Sequence, residues 1–205
     1  MLCTNYPDRS AAEAALQWAS ESNPGPWVDH SRNAALAAEV IGSAAGLDAE
    51  KCYVLGLLHD IGRYPGRTYA KHLLDGYRYA AERGWTDVAR ISLTHSFPAP
   101  LLDSLVGWHD VSAEEKAFVG ETLQGYTDEY DELIQLCDAL ADANGFCILE
   151  KRWIDVVMRY GWTECNLEKW RATLAIKRKF DEKAGCNVYE LLPGIVENSL
   201  KNLPY

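Results

Sequence analysis

Positive charge is scarce in this sequence: 20 Lys and Arg stand against 30 Asp and Glu in 205 residues, a formal net charge of −10. So acidic a chain repels a phosphodiester backbone or an anionic lipid surface. That excludes broad electrostatic binding to nucleic acid or membrane as partners, while leaving room for a small phosphorylated ligand. No stretch approaches the ~18 uninterrupted apolar residues of a membrane span, and the opening MLCTNYPDRS has no apolar run behind a basic start. These absences predict a cytoplasmic protein. The six cysteines (Cys3, Cys52, Cys137, Cys147, Cys165 and Cys186) form no CxxC pair. They offer neither a zinc knuckle nor a disulfide framework, and most sit in apolar segments where a reduced thiol packs as a small hydrophobe. Also missing are a period-2 strand of useful length, a low-complexity tract and a repeat at solenoid period. No G-x-S-x-G elbow, P-loop or Cys–His protease pattern occurs.

What is present reads as one folded, all-α domain over residues 1–205. Apolar residues at 48% against 24% charged are enough to build a core and exclude a disordered acidic tail. Helix punctuation runs along the chain. Ser10 with Glu13 predicts a capping box, and Asn23-Pro-Gly-Pro26 separates the first helix from a second opening near Trp27. Gly46 supplies a left-handed stop and Asp48 a cap for the next helix, Lys51 to Ile61, which is apolar on nearly every side and therefore buried. Helices are expected over Thr68 to Arg83 and Thr86 to His95, with Gly84 between them, and Ser112 with Glu115 marks another capping box. Leu133, Cys137 and Leu140 share the buried face of a helix from Asp128 to Asn144. Charge divides unevenly: residues 151–205 hold 10 Lys and Arg against 7 Asp and Glu, and residues 1–150 hold 10 against 23. The basic stretch RATLAIKRKF reads as the solvated face of a helix anchored by Trp170, Leu174, Ile176 and Phe180.

Only five histidines occur: His30, His59, His72, His95 and His109. The doublet His59-Asp60 ends the buried helix. Neighbouring helical residues diverge by about 100°, so both can reach one ion only at the helix end, with Gly62 letting the chain turn away. An ionised Asp60 at the edge of so apolar a segment is costly unless a cation or hydrogen bonds compensate it. His109-Asp110 repeats the dipeptide in a turn before a capping box, and there a structural role is favoured.

The order His30, His59-Asp60, Asp138, with HDIG at 59–62, HSRNAALAAEVIG around His30 and LIQLCDALAD around Asp138, resembles the HD-domain superfamily of metal-dependent phosphohydrolases. The segments HLLDG from His72 and ISLTHSF around His95 are similar to the additional histidines of its two-metal branch. The resemblance covers about residues 27–145. It implies a helical bundle with a metal site at its centre; residues 146–205 match no motif of the family and are expected to form extra C-terminal helices packed on that core. His30, His59, Asp60 and Asp138 would hold one divalent transition metal and His72 and His95 a second, with Asp60 bridging. Four histidines suit Mn, Fe, Co, Ni or Zn better than Mg. Two such ions would activate a water against phosphorus without a protein nucleophile, and would leave the site positive despite the acidic surface. His59, Asp60 and Arg63 are the expected catalytic residues, with Arg63 following the HDIG turn as a phosphate clamp. Arg67 and Lys71 are weaker candidates, as are Arg32 and Asn33 near His30. Asp142, one helical turn after Asp138, is either a supporting or a surface carboxylate.

The resemblance thus implies hydrolysis of a phosphoester or phosphoanhydride of a small molecule, a nucleotide in particular. The same ligand order is similar to the superfamily's mixed-valent di-iron oxygenases. A noncatalytic domain sensing a nucleotide or metal is the third reading.

Overall fold

In the computed structural model, which describes residues 5–125 and 127–201, the chain is helical nearly throughout. Its helices are α1 (Arg9–Ser22), α2 (Pro26–Ala44), α3 (Ala49–Leu58), α4 (Lys71–Ala81), α5 (Thr86–Thr94), α6 (Ala113–Leu123), α7 (Glu129–Leu140), α8 (Leu149–Tyr160), α9 (Asn166–Ala184) and α10 (Ile195–Lys201). A two-residue antiparallel hairpin, β1 (Ala141–Asp142) and β2 (Gly145–Phe146), links α7 to α8. Among the described residues no helix is long and apolar enough to cross a membrane. Cys3 lies outside the described residues. Cys52, Cys137 and Cys147 are buried free thiols, and Cys165 and Cys186 are free and partly covered.

The apolar run of α3 explains the centre of the fold. Every residue from Cys52 to Leu58 is buried, because α1, α2, α5 and α7 surround the helix on all sides. Its start is set by Asp48, whose carboxylate accepts from the amides of Glu50 and Lys51. Gly56 permits the close crossing with α2: a methyl group there would lie 2.8 Å from the Ala35 Cα and 3.0 Å from the Ala34 carbonyl oxygen. The second capping box is formed as expected, with Ser112 and Glu115 exchanging hydrogen bonds at the start of α6.

Four local expectations are corrected. The first helix is capped by Asp8, whose carboxylate accepts from the Ala11 amide, so Ser10 lies already inside α1. The helix expected from Thr68 begins at Lys71, because Asp110 takes the amides of Tyr69 and Lys71 from outside the segment. The helix through Asp138 stops at Leu140 instead of Asn144, where the chain turns into the hairpin, so Asp142 does not follow Asp138 on one helical face. Finally, Leu174 is 40% exposed, and the basic helix is anchored by Ile176 and Phe180.

Candidate metal centre

The residues singled out by sequence come from four helix ends and two helix interiors, and most converge. His59 caps the C-terminus of α3, still in helical conformation, and Asp60 has already left the helix with φ −104° and ψ 16°. The doublet thus sits at the helix end, with His59 Nε2 3.8 Å from Asp60 Oδ2. Beyond it, Ile61–Arg63 form a 3-10 turn held in place from outside: the Asn23 side-chain amide donates to the Arg63 carbonyl at 2.7 Å, and Tyr64 packs with Trp18 and Tyr79. Gly62 is needed here for a reason other than turning. Its backbone lies so near α4 that a Cβ would stand 2.0 Å from the His72 carbonyl oxygen and 2.3 Å from the Gly76 nitrogen. A Cβ on Gly76 would in turn stand 2.8 Å from Ser92 Oγ on α5 and 3.3 Å from the Gly62 nitrogen, so the space beside Gly76 is already filled by its neighbours.

Three imidazoles are oriented the same way. Nδ1 of His59 faces the Gly56 carbonyl at 2.7 Å, Nδ1 of His95 faces the Ile91 carbonyl at 3.1 Å, and Nδ1 of His72 faces the Tyr69 carbonyl. A carbonyl only accepts, so each Nδ1 carries the proton and donates, which leaves Nε2 pointing inward. Burial pushes His72 down to about 3 and His95 down to about 4, with Arg63 adding to the fall at His72 and His59 at His95. Both rings are then neutral near pH 7, and each inward Nε2 is a bare lone pair.

These lone pairs face a carboxylate. Asp60, 3% exposed, places Oδ1 3.4 Å from His72 Nε2 and 3.5 Å from His95 Nε2, while Oδ2 lies 3.8 Å from His59 Nε2. No hydrogen bond joins these atoms, and Asp60 Oδ1, His59 Nε2 and His72 Nε2 have no partner among the described residues. Burial raises the Asp60 carboxyl, but the Arg63 guanidinium and the surrounding histidines outweigh it and hold the group well below the usual carboxylate range. An ionised oxygen facing two imidazole lone pairs at a buried position is repulsive unless a cation sits among them.

Asp138, on α7, closes the other side. Its Oδ1 accepts from His30 Nε2 at 2.9 Å and lies 3.7 Å from His59 Nε2. Burial alone would raise its carboxyl too, but His30 outweighs this and lowers it well below the carboxylate range. Burial lowers His30, with Asp138 opposing. Donor atoms of His30, His59 and Asp138 lie within 4.8 Å of one another, as do those of His59, Asp60 and His95. Two overlapping triads therefore share His59, with His72 adjoining Asp60. The six expected ligands thereby lie together, five of them lining one cleft with His59 buried beside them, and the donor set of imidazole and carboxylate fits a first-row divalent metal.

Compared with known protein families, residues 27–143 match the HD domain. The chain belongs to the HD-domain family. No curated protein and no solved structure matches it. HD-domain proteins are for the most part metal-dependent hydrolases that bind divalent metals, and the His/Asp clusters here could hold such ions.

The other expected residues divide. Arg63 lines the cleft, but its Nε donates to Asp60 Oδ2 at 2.5 Å, so part of its fork serves the carboxylate. Arg67 also lines the cleft, whereas Lys71 is exposed on α4. Arg32 faces Glu13 at 3.9 Å and Asn33 donates to the Asp142 carbonyl at 2.7 Å, so both hold the scaffold. Asp142 is held by Lys151 at 2.7 Å. His109 lies tilted against the Tyr69 ring, and Asp110 caps α4, which fixes the Tyr69 carbonyl that orients His72.

Sequence reasoning missed the far wall. The cleft, about 390 Å³, is closed by α8 and α9, which contribute Arg152, Trp153, Tyr160, Lys169 and Trp170. These belong to the C-terminal residues that carried no motif. The only signal was the basic excess after residue 150, and the stretch expected to be solvated does pair elsewhere, Lys179 with Glu129 and Glu132 of α7.

Proposed function

We propose that the chain is a metal-dependent phosphohydrolase of a small phosphorylated molecule, a nucleotide in particular. The observation that carries the metal dependence is the Asp60 carboxylate, buried with Oδ1 opposite two neutral imidazole nitrogens. His30, His59, Asp60 and Asp138 would hold one ion, and Asp60, His72 and His95 a second. When bound, the metal supplies a Lewis acid for a phosphoryl oxygen and a water of lowered pKa.

The chain's own residues do the rest. Backbone carbonyls of Gly56, Tyr69 and Ile91 fix the three tautomers, so the donors need no reorganisation. Arg63 holds Asp60 ionised and aimed. Its remaining guanidinium nitrogens, with Arg67 at the cleft, can meet phosphoryl oxygens. Trp27, Trp153 and Trp170 give the cleft flat apolar walls that exclude water and suit a nucleobase.

The test is a panel of phosphomonoesters, phosphodiesters and nucleotides assayed for phosphate release with Mn, beside EPR of protein purified anaerobically. Metal-dependent turnover in the wild type that falls at least a thousandfold in Asp60→Ala, together with lost metal, supports the proposal. A mixed-valent di-iron signal without phosphate release would replace it with the oxygenase reading, and an inert, metal-replete chain with the sensor reading.

A further inference from the structure

The desolvated cations of this molecule follow a rule with one exception. Lys51 pairs with Asp87 at 2.8 Å, Arg63 with Asp60 at 2.5 Å and Arg90 with Asp128 at 2.8 Å. Lys151 sits between Asp142 and Asp155, and Lys177 meets Asp181 and Asn187. Each covered charge has an acceptor, as burial demands. Lys169 is the exception: it lies partly covered in the cleft wall, and no carboxylate lies within ion-pair distance of its amine among the described residues. Desolvation lowers its pKa, only partly opposed by the more distant Asp138.

Its placement is that of a ligand-binding residue. Asn166, Lys169, Trp170 and Thr173 lie at i, i+3, i+4 and i+7, one face of α9, and all four line the cleft that holds the metal-centre residues. Trp170 is stacked on Trp153 of α8, ring centres 5.0 Å apart and planes within 9°, which stiffens the two helices around the amine. Arg152 of α8 lines the same cleft with Nη2 3.9 Å from Asp138 Oδ1, and both Arg152 and Asp138 act electrostatically on Lys169, so the two cations share the Asp138 side of the donor cluster. Arg152, Trp153, Asn166, Lys169, Trp170 and Thr173 all lie outside the matched span 27–143, so family membership assigns them no role.

We propose that Lys169, flanked by Arg152, is the anion-binding residue of the cleft and takes an oxygen of the substrate's phosphate group. The charge is left without an internal partner because its partner is the ligand. The C-terminal helices then set which phosphorylated molecule is accepted, and the HD core supplies the donors. This rests on the phosphohydrolase reading for its choice of anion.

The experiment measures binding of inorganic phosphate to the metal-loaded full chain by calorimetry, in the wild type and in Lys169→Met, Lys169→Arg and Arg171→Met. Arg171 is an exposed cation on the same helix, so its loss controls for net charge. The expected result is that Lys169→Met weakens phosphate at least tenfold, Lys169→Arg stays within about threefold of wild type, and Arg171→Met stays within twofold. Metal content should be unchanged, and the melting temperature of Lys169→Met in phosphate-free buffer should be equal or higher, since an uncompensated charge is gone. Phosphate affinity in Lys169→Met within twofold of wild type would overturn the proposal. So would an equal loss in Arg171→Met, or a Lys169→Met chain that unfolds or loses metal, because a structural role would then account for the residue. The two readings fail separately. A chain that binds phosphate through Lys169 but hydrolyses no phosphoester loses the proposed activity and keeps this subsite, while wild-type turnover and affinity in Lys169→Met does the reverse.

Discussion

The Nε of Arg63 donates to Oδ2 of Asp60 at 2.5 Å, and the other oxygen of that carboxylate faces His72 and His95 with no hydrogen bond to either. One side of the carboxylate is neutralised by the chain itself, and the other side calls for a cation. Arg63 therefore does two things: it keeps Asp60 ionised at the end of an apolar helix, and it points the free oxygen at the imidazoles.

Removing that guanidinium should expose the dependence. Arg63→Met is expected to destabilise the chelated protein by about 2 kcal/mol, less than for a wholly buried pair because the Arg63 side chain is 29% exposed. Addition of Mn should erase most of the deficit, since an ion bound only by the folded state stabilises by mass action. Thermal melts with and without metal check this. A deficit that metal leaves untouched would count against Asp60 as a ligand.

Stability of the metal-free protein should fall with acid. His72 and His95 are pushed by burial to about 3 and about 4, from an ordinary 6.5. Below pH 6.5 the unfolded chain takes up protons that the folded chain refuses, so stability present above 6.5 is lost progressively toward pH 3. Asp60 and Asp138, both held well below the carboxylate range, add a loss in the same direction below about pH 4. The melting temperature of the chelated chain is expected to drop by about 5 °C or more between pH 7 and pH 4.5. A melting temperature that rises over that interval would contradict the burial described for the two rings.

Gly62→Ala should be among the most damaging single methyl additions. The new Cβ would meet the backbone of α4 at His72 and Gly76, which cannot move aside as a side-chain tip can. A cost of about 2 kcal/mol or more is expected from the overpacking, with lost metal binding as His72 is displaced. Chemical denaturation with metal analysis measures both. By contrast Gly46→Ala, where a side chain meets open space, should cost only the strain of its positive φ of 80°.

The repeated His-Asp dipeptide offers a contrast between neighbours. Asp110→Ala removes the acceptor for the Tyr69 and Lys71 amides. A capping loss of about 1 kcal/mol is expected, with weaker metal binding on the His72 side as the Tyr69 carbonyl loses its support. His109→Ala should change metal content and activity little. Titration with Mn followed by calorimetry distinguishes the two variants. Equal effects would show that Asp110 does not reach the site through Tyr69.

What was legible in the sequence followed from how local each cause is. The buried helix around Val54 and Leu57, the Asp48 cap and the Ser112/Glu115 box depend on residues within a turn of each other. The histidines and aspartates were legible through the order of a known family. Ser10 misled because Asp8, two residues earlier, caps the helix at the Ala11 amide, and Asp142 misled because helix periodicity does not announce that α7 ends at Leu140. The wall of Lys169, Trp170 and Arg152 was not legible at all: which face of α9 meets the cleft is decided by packing on α2 and α7, and nothing within α9 itself records it.

The most direct measurement is anomalous scattering from crystals of the Mn-loaded chain, collected on both sides of the metal edge. The account predicts density bonded to His30, His59, Asp60 and Asp138, and further density bonded to Asp60, His72 and His95, with Asp60 shared. No anomalous peak within bonding distance of Asp60, in crystals whose solution shows full metal loading, would contradict it.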